Sequence, residues 1–295
     1  MTKRHTRRRR ETQEALKGIG GFPPFPLHGP ITALRVLTHG FEVPLDPERS
    51  ELRIGRSSPP LVDIQLPLPS ISGLHALLTR DDRSLTVTDQ GSKNGIGYAH
   101  GWGGYVRSTS LLVNTGDRFA LGSVDLLALD AQTHQLVQPL AAYCGPGAHD
   151  EVDDALEAVI RGHMLIVCGS RADELHELAH MLHDHSVRRD FPFTKLDAIP
   201  DSNEAIDELC TRAGCGTIFL DLTKPFPVPL RFARNLFSQH FHLWTIVVAP
   251  TLDQAVTCLG KACNGPRPVG FHICELGFSR RQWHQRMKSV SFTKS

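Results

Sequence analysis

The sequence predicts a multi-domain protein in which an all-β sandwich is followed by an α/β domain built on a mainly parallel sheet. Three observations carry the prediction. From Ile31 to about Gln138 the chain is a succession of short apolar or period-two runs, each closed by Gly, Pro, Asp or Asn, the pattern of strands in an antiparallel sandwich. From His163 onward apolar runs alternate with helical segments, as in parallel strands joined by helical crossovers. The length of 295 residues also suits about two domains.

Taken in order, residues 1–30 join a basic run, Lys3-Arg4 and Arg7 to Arg10, to the Gly/Pro-rich tract Gly18 to Pro26. They read as a disordered tail and linker. Residues 31–138 form the first domain, with strands expected at Thr32 to Leu37, Phe41 to Leu45, Leu52 to Gly55, Val62 to Leu66, Ala76 to Thr79, Leu85 to Thr88, Arg118 to Leu121 and Val124 to Leu129. The insert His100 to Ser110, with Trp102 and Tyr105 among glycines, reads as a loop. Residues 139–152 read as a linker, and their acidic end, Asp150 to Asp154, opens a helix where carboxylates suit the positive end of the dipole. Residues 153–295 form the second domain. Strands are expected at Met164 to Val167, Phe193 to Leu196, Thr217 to Leu220, Leu243 to Val248 and Gly270 to Cys274. Helices fill Ala172 to His185, Asn203 to Ala213, Val228 to Gln239, Thr251 to Ala262 and Arg280 to Met287.

Composition narrows the function. The apolar fraction of 40% and charged fraction of 21% are those of a soluble globular chain, and a net charge of +1 singles out no partner. No apolar run approaches the ~20 residues of a membrane span, and no secretory signal follows the arginine-rich start. The seven cysteines, none before Cys144, predict reduced thiols in a cytoplasm. Cys210 with Cys215, and Cys258 with Cys263, read as buried thiols in or beside helices. The basic tail and the Arg280-Arg281-Trp283 group read as solvated, so no nucleic acid is expected.

Chemistry concentrates between Leu52 and Gly101, where three polar signatures lie at turns: Ile54-Gly55-Arg56, Ser70-Ile71-Ser72-Gly73-Leu74-His75 and Asp89-Gln90-Gly91-Ser92-Lys93-Asn94-Gly95. A phosphate dianion needs a fork of donors, which the planar, permanently charged guanidinium of Arg56 supplies. Ser72 adds a hydroxyl, and the Asn94 amide carries both a donor and an acceptor for a peptide backbone. Gly55, Gly91 and Gly95 free the turns for positive φ.

The ordered set resembles the forkhead-associated (FHA) domain, whose pattern is Gly-Arg, Ser-x-x-His and Gly-Ser-x-Asn-Gly. The resemblance continues through Asn114 to Gly122 and covers roughly residues 32–130. It implies phosphate contacts at Arg56 and Ser72, peptide pairing at Asn94, and a loop buttress at His75. Gly73 stands where the family has a basic or polar residue, and Ile96 replaces its usual Thr. Lys93 supplies charge at the rim. The resemblance implies a phosphothreonine-containing partner, such as a Ser/Thr kinase or its substrate. The tail raises a further expectation, that Thr12, two residues after Arg10, is phosphorylated by a basophilic kinase and folds back on Arg56.

The second half resembles the AAA+ ATPase domain of bacterial enhancer-binding proteins, on Leu165 to Ser170, Ala179 to His183, Ser186 to Phe193 and Gly216 to Asp221. The family's chemistry is missing. A phosphate-cradling loop needs a Gly-Lys-Ser/Thr ending, whereas Gly169-Ser170-Arg171-Ala172-Asp173-Glu174-Leu175 has none. Asp221 remains, but Leu222 replaces its acidic neighbour. This reads as a degenerate, non-hydrolysing nucleotide site at Gly169, Ser170 and Asp221, needing no cofactor. A competing zinc reading rests on His176-Glu177-Leu178-Ala179-His180, two histidines one helical turn apart, with Glu204 as third ligand. The expectation is therefore a non-enzymatic adaptor, with a transcriptional regulator acting beside an enhancer-binding ATPase or sigma factor, and a zinc hydrolase, as alternatives.

Overall fold

The computed structural model describes residues 28–37, 39–100, 104–145, 147–162, 164–196, 198–224, 226–229, 232, 243–259 and 274–276. Among them, 28–162 together with 274–276 form one compact unit and the remainder a second.

The first unit is a two-sheet sandwich. One sheet has the order β2 (Phe41–Pro44), β1 (Ile31–Val36), β11 (Val124–Asp130), β10 (Arg118–Leu121), β7 (Ile96–His100), β8 (Gly104–Ser108). The other runs β4 (Ile64–Gln65), β3 (Glu51–Gly55), β5 (Ala76–Arg80), β6 (Ser84–Asp89), β9 (Ser110–Asn114). Pairing is antiparallel except between β3 and β4. Alternation sets the faces: Leu52 and Ile54, Leu85 and Val87, and Leu111 and Val113 point inward and meet Leu34, Phe119 and Leu126 from the opposite sheet.

Three differences from the sequence expectation have physical causes. The insert 100–110 is not a loop throughout: His100 ends β7, Gly104–Ser108 pair back on it as β8 with Tyr98 opposite Val106, and Ser110 opens β9, while Trp102 lies outside the described residues. The strand expected over Val62 to Leu66 shrinks to Ile64–Gln65, because the Asp63 carboxylate is drawn to the Arg53 backbone N–H (2.8 Å) and to the Arg53 and Arg49 guanidinium groups. The stretch 139–152 is helical over most of its length. Helix α1 (Ala131–Cys144) starts at Asp130, whose carboxylate accepts from the Thr133 N–H and hydroxyl while the Asp130 N–H donates to the Thr133 hydroxyl, a reciprocal cap. Its buried Thr133, Leu136, Val137 and Leu140 fall on one face despite Pro139.

Helix α2 (His149–Arg161) follows, with the acidic first turn expected, and is tied to the sandwich. Arg35 on β1, 2% exposed, pairs with Asp153 of α2 and with Glu42 across the β1–β2 ladder. Arg118 pairs with Glu157 at 2.6 Å, and the His28 ring bridges Asp130 and the Ile160 carbonyl at 3.1 Å each. These bonds place residues up to 162 with the sandwich.

The second unit contains a parallel sheet whose order includes β13 (Phe193–Leu196), β14 (Thr217–Asp221), β15 (Trp244–Ala249) and β12 (Leu165–Cys168). Its central strands are continuous apolar runs buried on both faces, as a helix-covered parallel sheet requires. Helices α3 (Ala172–Asp184), α4 (Asn203–Ala213) and α5 (Leu252–Leu259) lie near the expected positions. The expected helix at 280–287 lies outside the described residues, as do most of that at 228–239 and of the strand at 270–274; Cys274–Leu276 form β16. No described helix is long and apolar enough to cross a membrane.

Candidate functional site

The three polar signatures leave the sandwich at the ends of β3, β4 and β6, and hydrogen bonds tie their loops together. The Arg56 N–H donates to the Ser72 carbonyl (2.9 Å) and the Ser57 N–H to that of Gly73 (3.1 Å). The Lys93 N–H donates to Ser72 Oγ at 3.0 Å. Asn94 Nδ2 donates to the Ser70 carbonyl at 2.8 Å. Ser72 and Asn94 are thereby held beside one another, with the Ser72 hydroxyl hydrogen still to give and the Asn94 Oδ1 still to accept.

His75 is the brace behind them. It is fully buried; its Nδ1 accepts from the Ser72 N–H at 3.0 Å, and its Nε2–H donates to the Gly95 carbonyl at 3.1 Å. One neutral tautomer satisfies both bonds, so a buried polar ring is fully used. The Gly95 carbonyl also takes the Gly122 N–H at 2.8 Å.

Gly55 is required by packing. A Cβ there would lie 2.1 Å from the Gly73 carbonyl oxygen, a backbone atom that cannot turn aside. Gly55→Ala should therefore separate the first two loops and destabilise the first unit by about 1–3 kcal/mol, read as a lower urea midpoint. Gly73 is different: its Cβ would meet only the Ser57 hydroxyl, at 3.0 Å, and its φ lies outside the left-handed region.

Charge at the site is unbalanced toward positive. Arg49 and Arg53 are consumed by Asp63, whose carboxyl the Arg53 hydrogen bonds hold far below the usual carboxylate range. Arg56 and Lys93 are exposed, and among the described residues neither pairs with a carboxylate. Arg107 on β8 is a contributor that the sequence reading did not single out. Its Nε donates to the Asn94 carbonyl and its Nη2 to that of Lys93, both at 3.2 Å. Its position in the presumed loop concealed it; the alternating β7–β8 register is the only signal that could have shown it.

A guanidinium, a hydroxyl and an amide are thus carried on loops that hydrogen bonds lace together. Residues 52–122 match the family model described as the FHA domain. Residues 52–122 form an FHA domain. Solved structures align with this FHA domain over about a third of the chain. The FHA domain of CT664 from Chlamydia trachomatis is 31% identical, covering 33% of this chain and 95% of that one, with a TM-score of 0.29. An FHA domain from a study of phosphothreonine-dependent FHA domain interactions is 19% identical, covering 33% and 94%, with a TM-score of 0.28. EmbR of Mycobacterium tuberculosis, in complex with a low affinity phosphopeptide, is 23% identical, covering 34% and 24%, with a TM-score of 0.29. No curated protein matches the chain by sequence.

In the second unit, two of the three expected nucleotide residues, Gly169 and Asp221, are bonded within the protein. Between β12 and α3 the loop is Gly169-Ser170-Arg171, and the Gly169 N–H is bonded to the Ala249 carbonyl at 3.2 Å. Arg171 is tied to Asp173 (2.8 Å) and Glu174 (2.6 Å), the carboxylates that open α3. Asp221 accepts from His176 Nε2 at 2.8 Å, Lys195 Nζ at 3.1 Å, and the Thr223 N–H and hydroxyl. Burial works against its charge, but these bonds prevail and hold its carboxyl at about 2.

The HExxH residues face different partners. His176 bonds Asp221, the His180 ring lies 4.0 Å from that of Phe193, and Glu204 stands exposed in the first turn of α4. Among the described residues no group of three or more His, Cys, Asp or Glu could hold a metal ion. Cys210, Cys215 and Cys258 are buried free thiols, with burial pushing Cys210 up to about 11, and Cys263 lies outside the described residues.

His183 in the same helix gives the second unit a pH dependence. It is buried, bonded to the Thr217 hydroxyl at 2.8 Å, and lies against Phe193. Burial pushes its imidazole below the ordinary 6.5, with His180 and Arg188 adding to the effect and Asp184 opposing it. The unfolded chain therefore takes up a proton below pH 6.5 that the folded unit refuses. Its contribution is present above that pH and lost as the pH falls below it. The urea midpoint of this unit should drop between pH 7.5 and 5.5, and His183→Gln should flatten the decline.

Proposed function

We propose that this protein is a non-enzymatic signalling adaptor whose FHA domain binds a phosphothreonine-containing protein, such as a Ser/Thr kinase or its substrate. Arg56 grips the phosphate, Ser72 donates to it, Lys93 adds charge at the rim, and Asn94 pairs with the peptide backbone. The observation that carries this reading is the lacing of the three loops through Ser72 and His75, which presents Arg56, Ser72 and Asn94 together on the surface of an FHA domain. The buried thiols Cys210, Cys215 and Cys258 suit a reducing, cytoplasmic setting.

The second unit acts as a degenerate AAA+-like domain that contacts another protein and hydrolyses nothing. Support comes from the parallel sheet with β12 beside β15, from the acidic start of α3, and from the engagement of Asp221 by His176, Lys195 and Thr223. ATP turnover abolished by Asp221→Ala would remove this part of the reading.

An oriented phosphothreonine library, run beside its unphosphorylated and phosphoserine counterparts, tests the reader. Selective retention of phosphothreonine sequences is expected; equal retention of all three would contradict it. Gly73 also predicts a gain, because the one atom a Cβ would crowd is the Ser57 hydroxyl, which can turn aside. Gly73→Arg should tighten phosphopeptide binding by about three- to tenfold, since a further charge-assisted bond becomes available.

A further inference from the structure

Charge around the phosphate seat exceeds what one phosphate needs. Arg56, Lys93 and Arg107 are exposed cations, and among the described residues none is paired with a carboxylate. A phosphothreonine brings about −1.5 to −2 at neutral pH, which Arg56 and Lys93 balance. The charge of Arg107 is left over.

Arg107 is also held in one pose. Its Nε and Nη2 are fixed on the carbonyls of Asn94 and Lys93, and it lies over Gly95, where a Cβ would stand 2.7 Å from Nε. A guanidinium has five N–H donors in a rigid fork, so two carbonyls do not exhaust it. Nη1 takes no part in these two bonds, and Arg107 is exposed beside the loop that carries Asn94, the amide to which the reading above assigns the peptide backbone.

We propose that Arg107 makes this FHA domain select partners that carry an acidic side chain close to the phosphothreonine. The inference rests on the phosphopeptide reading above and deepens it. Arg107 therefore has two roles: it positions the Asn94 loop through its two main-chain bonds, and it reads flanking charge through its free edge.

The probes are alanine-flanked phosphothreonine peptides in which one Asp, or one Asn, is moved through the positions on either side, with fluorescence anisotropy as the readout. At one or more positions the Asp peptide should bind wild-type protein about five- to tenfold more tightly than its Asn twin, with a gap that narrows at high ionic strength. Arg107→Gln should close the gap, and Arg107→Lys should keep most of it. A purely positioning Arg107 would weaken Asp and Asn peptides equally in Arg107→Gln, and that result overturns the proposal. So does equal binding of every Asp and Asn pair to wild-type protein, while Arg56-dependent binding persists and the phosphopeptide reading stands. Loss of all phosphate-dependent binding in the wild type would sink both together.

Discussion

Replacing Arg56 by alanine is expected to weaken binding of a phosphothreonine peptide by about 100-fold or more. Two charge-assisted hydrogen bonds contribute about 1.5–3 kcal/mol each, and loss of about 3 kcal/mol corresponds to a factor of over 100. The fold should survive, because the side chain is exposed and its backbone N–H, which holds the Ser72 carbonyl, is untouched. Isothermal titration gives the affinity and a thermal melt checks the fold. Arg56→Lys should fall between, since an ammonium keeps the charge but loses the fork.

The largest stability effect should come from Asp153→Ala. Arg35 is buried between Asp153 and Glu42, and removing one partner of a buried ion pair leaves a charge short of its compensation, at about 3–5 kcal/mol. That is a large share of a domain's typical 5–15 kcal/mol. Helix α2 should become susceptible to proteolysis, and the urea midpoint of the first unit should fall steeply. The paired change Arg35→Met with Asp153→Leu should recover much of the loss, because no charge is then stranded. A midpoint unmoved by Asp153→Ala would show that α2 does not depend on this pair.

The sandwich was legible because period two exposes itself in short segments: Arg118 to Leu121 and Ala76 to Thr79 coincide with β10 and most of β5. The helix at Ala131–Cys144 was hidden by Pro139 and by the Gly-Pro-Gly that follows it. Its Asp130–Thr133 cap was the local signal, and the face Thr133, Leu136, Val137, Leu140 was the periodic one. The ordered turns named Arg56, Ser72, His75 and Asn94 because loop chemistry uses few residue types at fixed offsets. Arg107 escaped because its partners are main-chain carbonyls on another loop, a relation created by strand pairing and absent from linear spacing. In the second half, HExxH spacing promised a shared ligand face. Tertiary packing instead gave His176 to Asp221 and His180 to Phe193.

The most direct test of the phosphate seat is a titration of isotope-labelled protein with a phosphothreonine peptide, following amide and arginine side-chain resonances by NMR. The account predicts saturable, phosphate-dependent shifts at the Arg56 guanidinium and at the Ser72, Lys93 and Asn94 amides, with the His75 ring following through its bond to Ser72. Phosphate-dependent shifts that bypass these residues, or identical shifts with the unphosphorylated peptide, would contradict it.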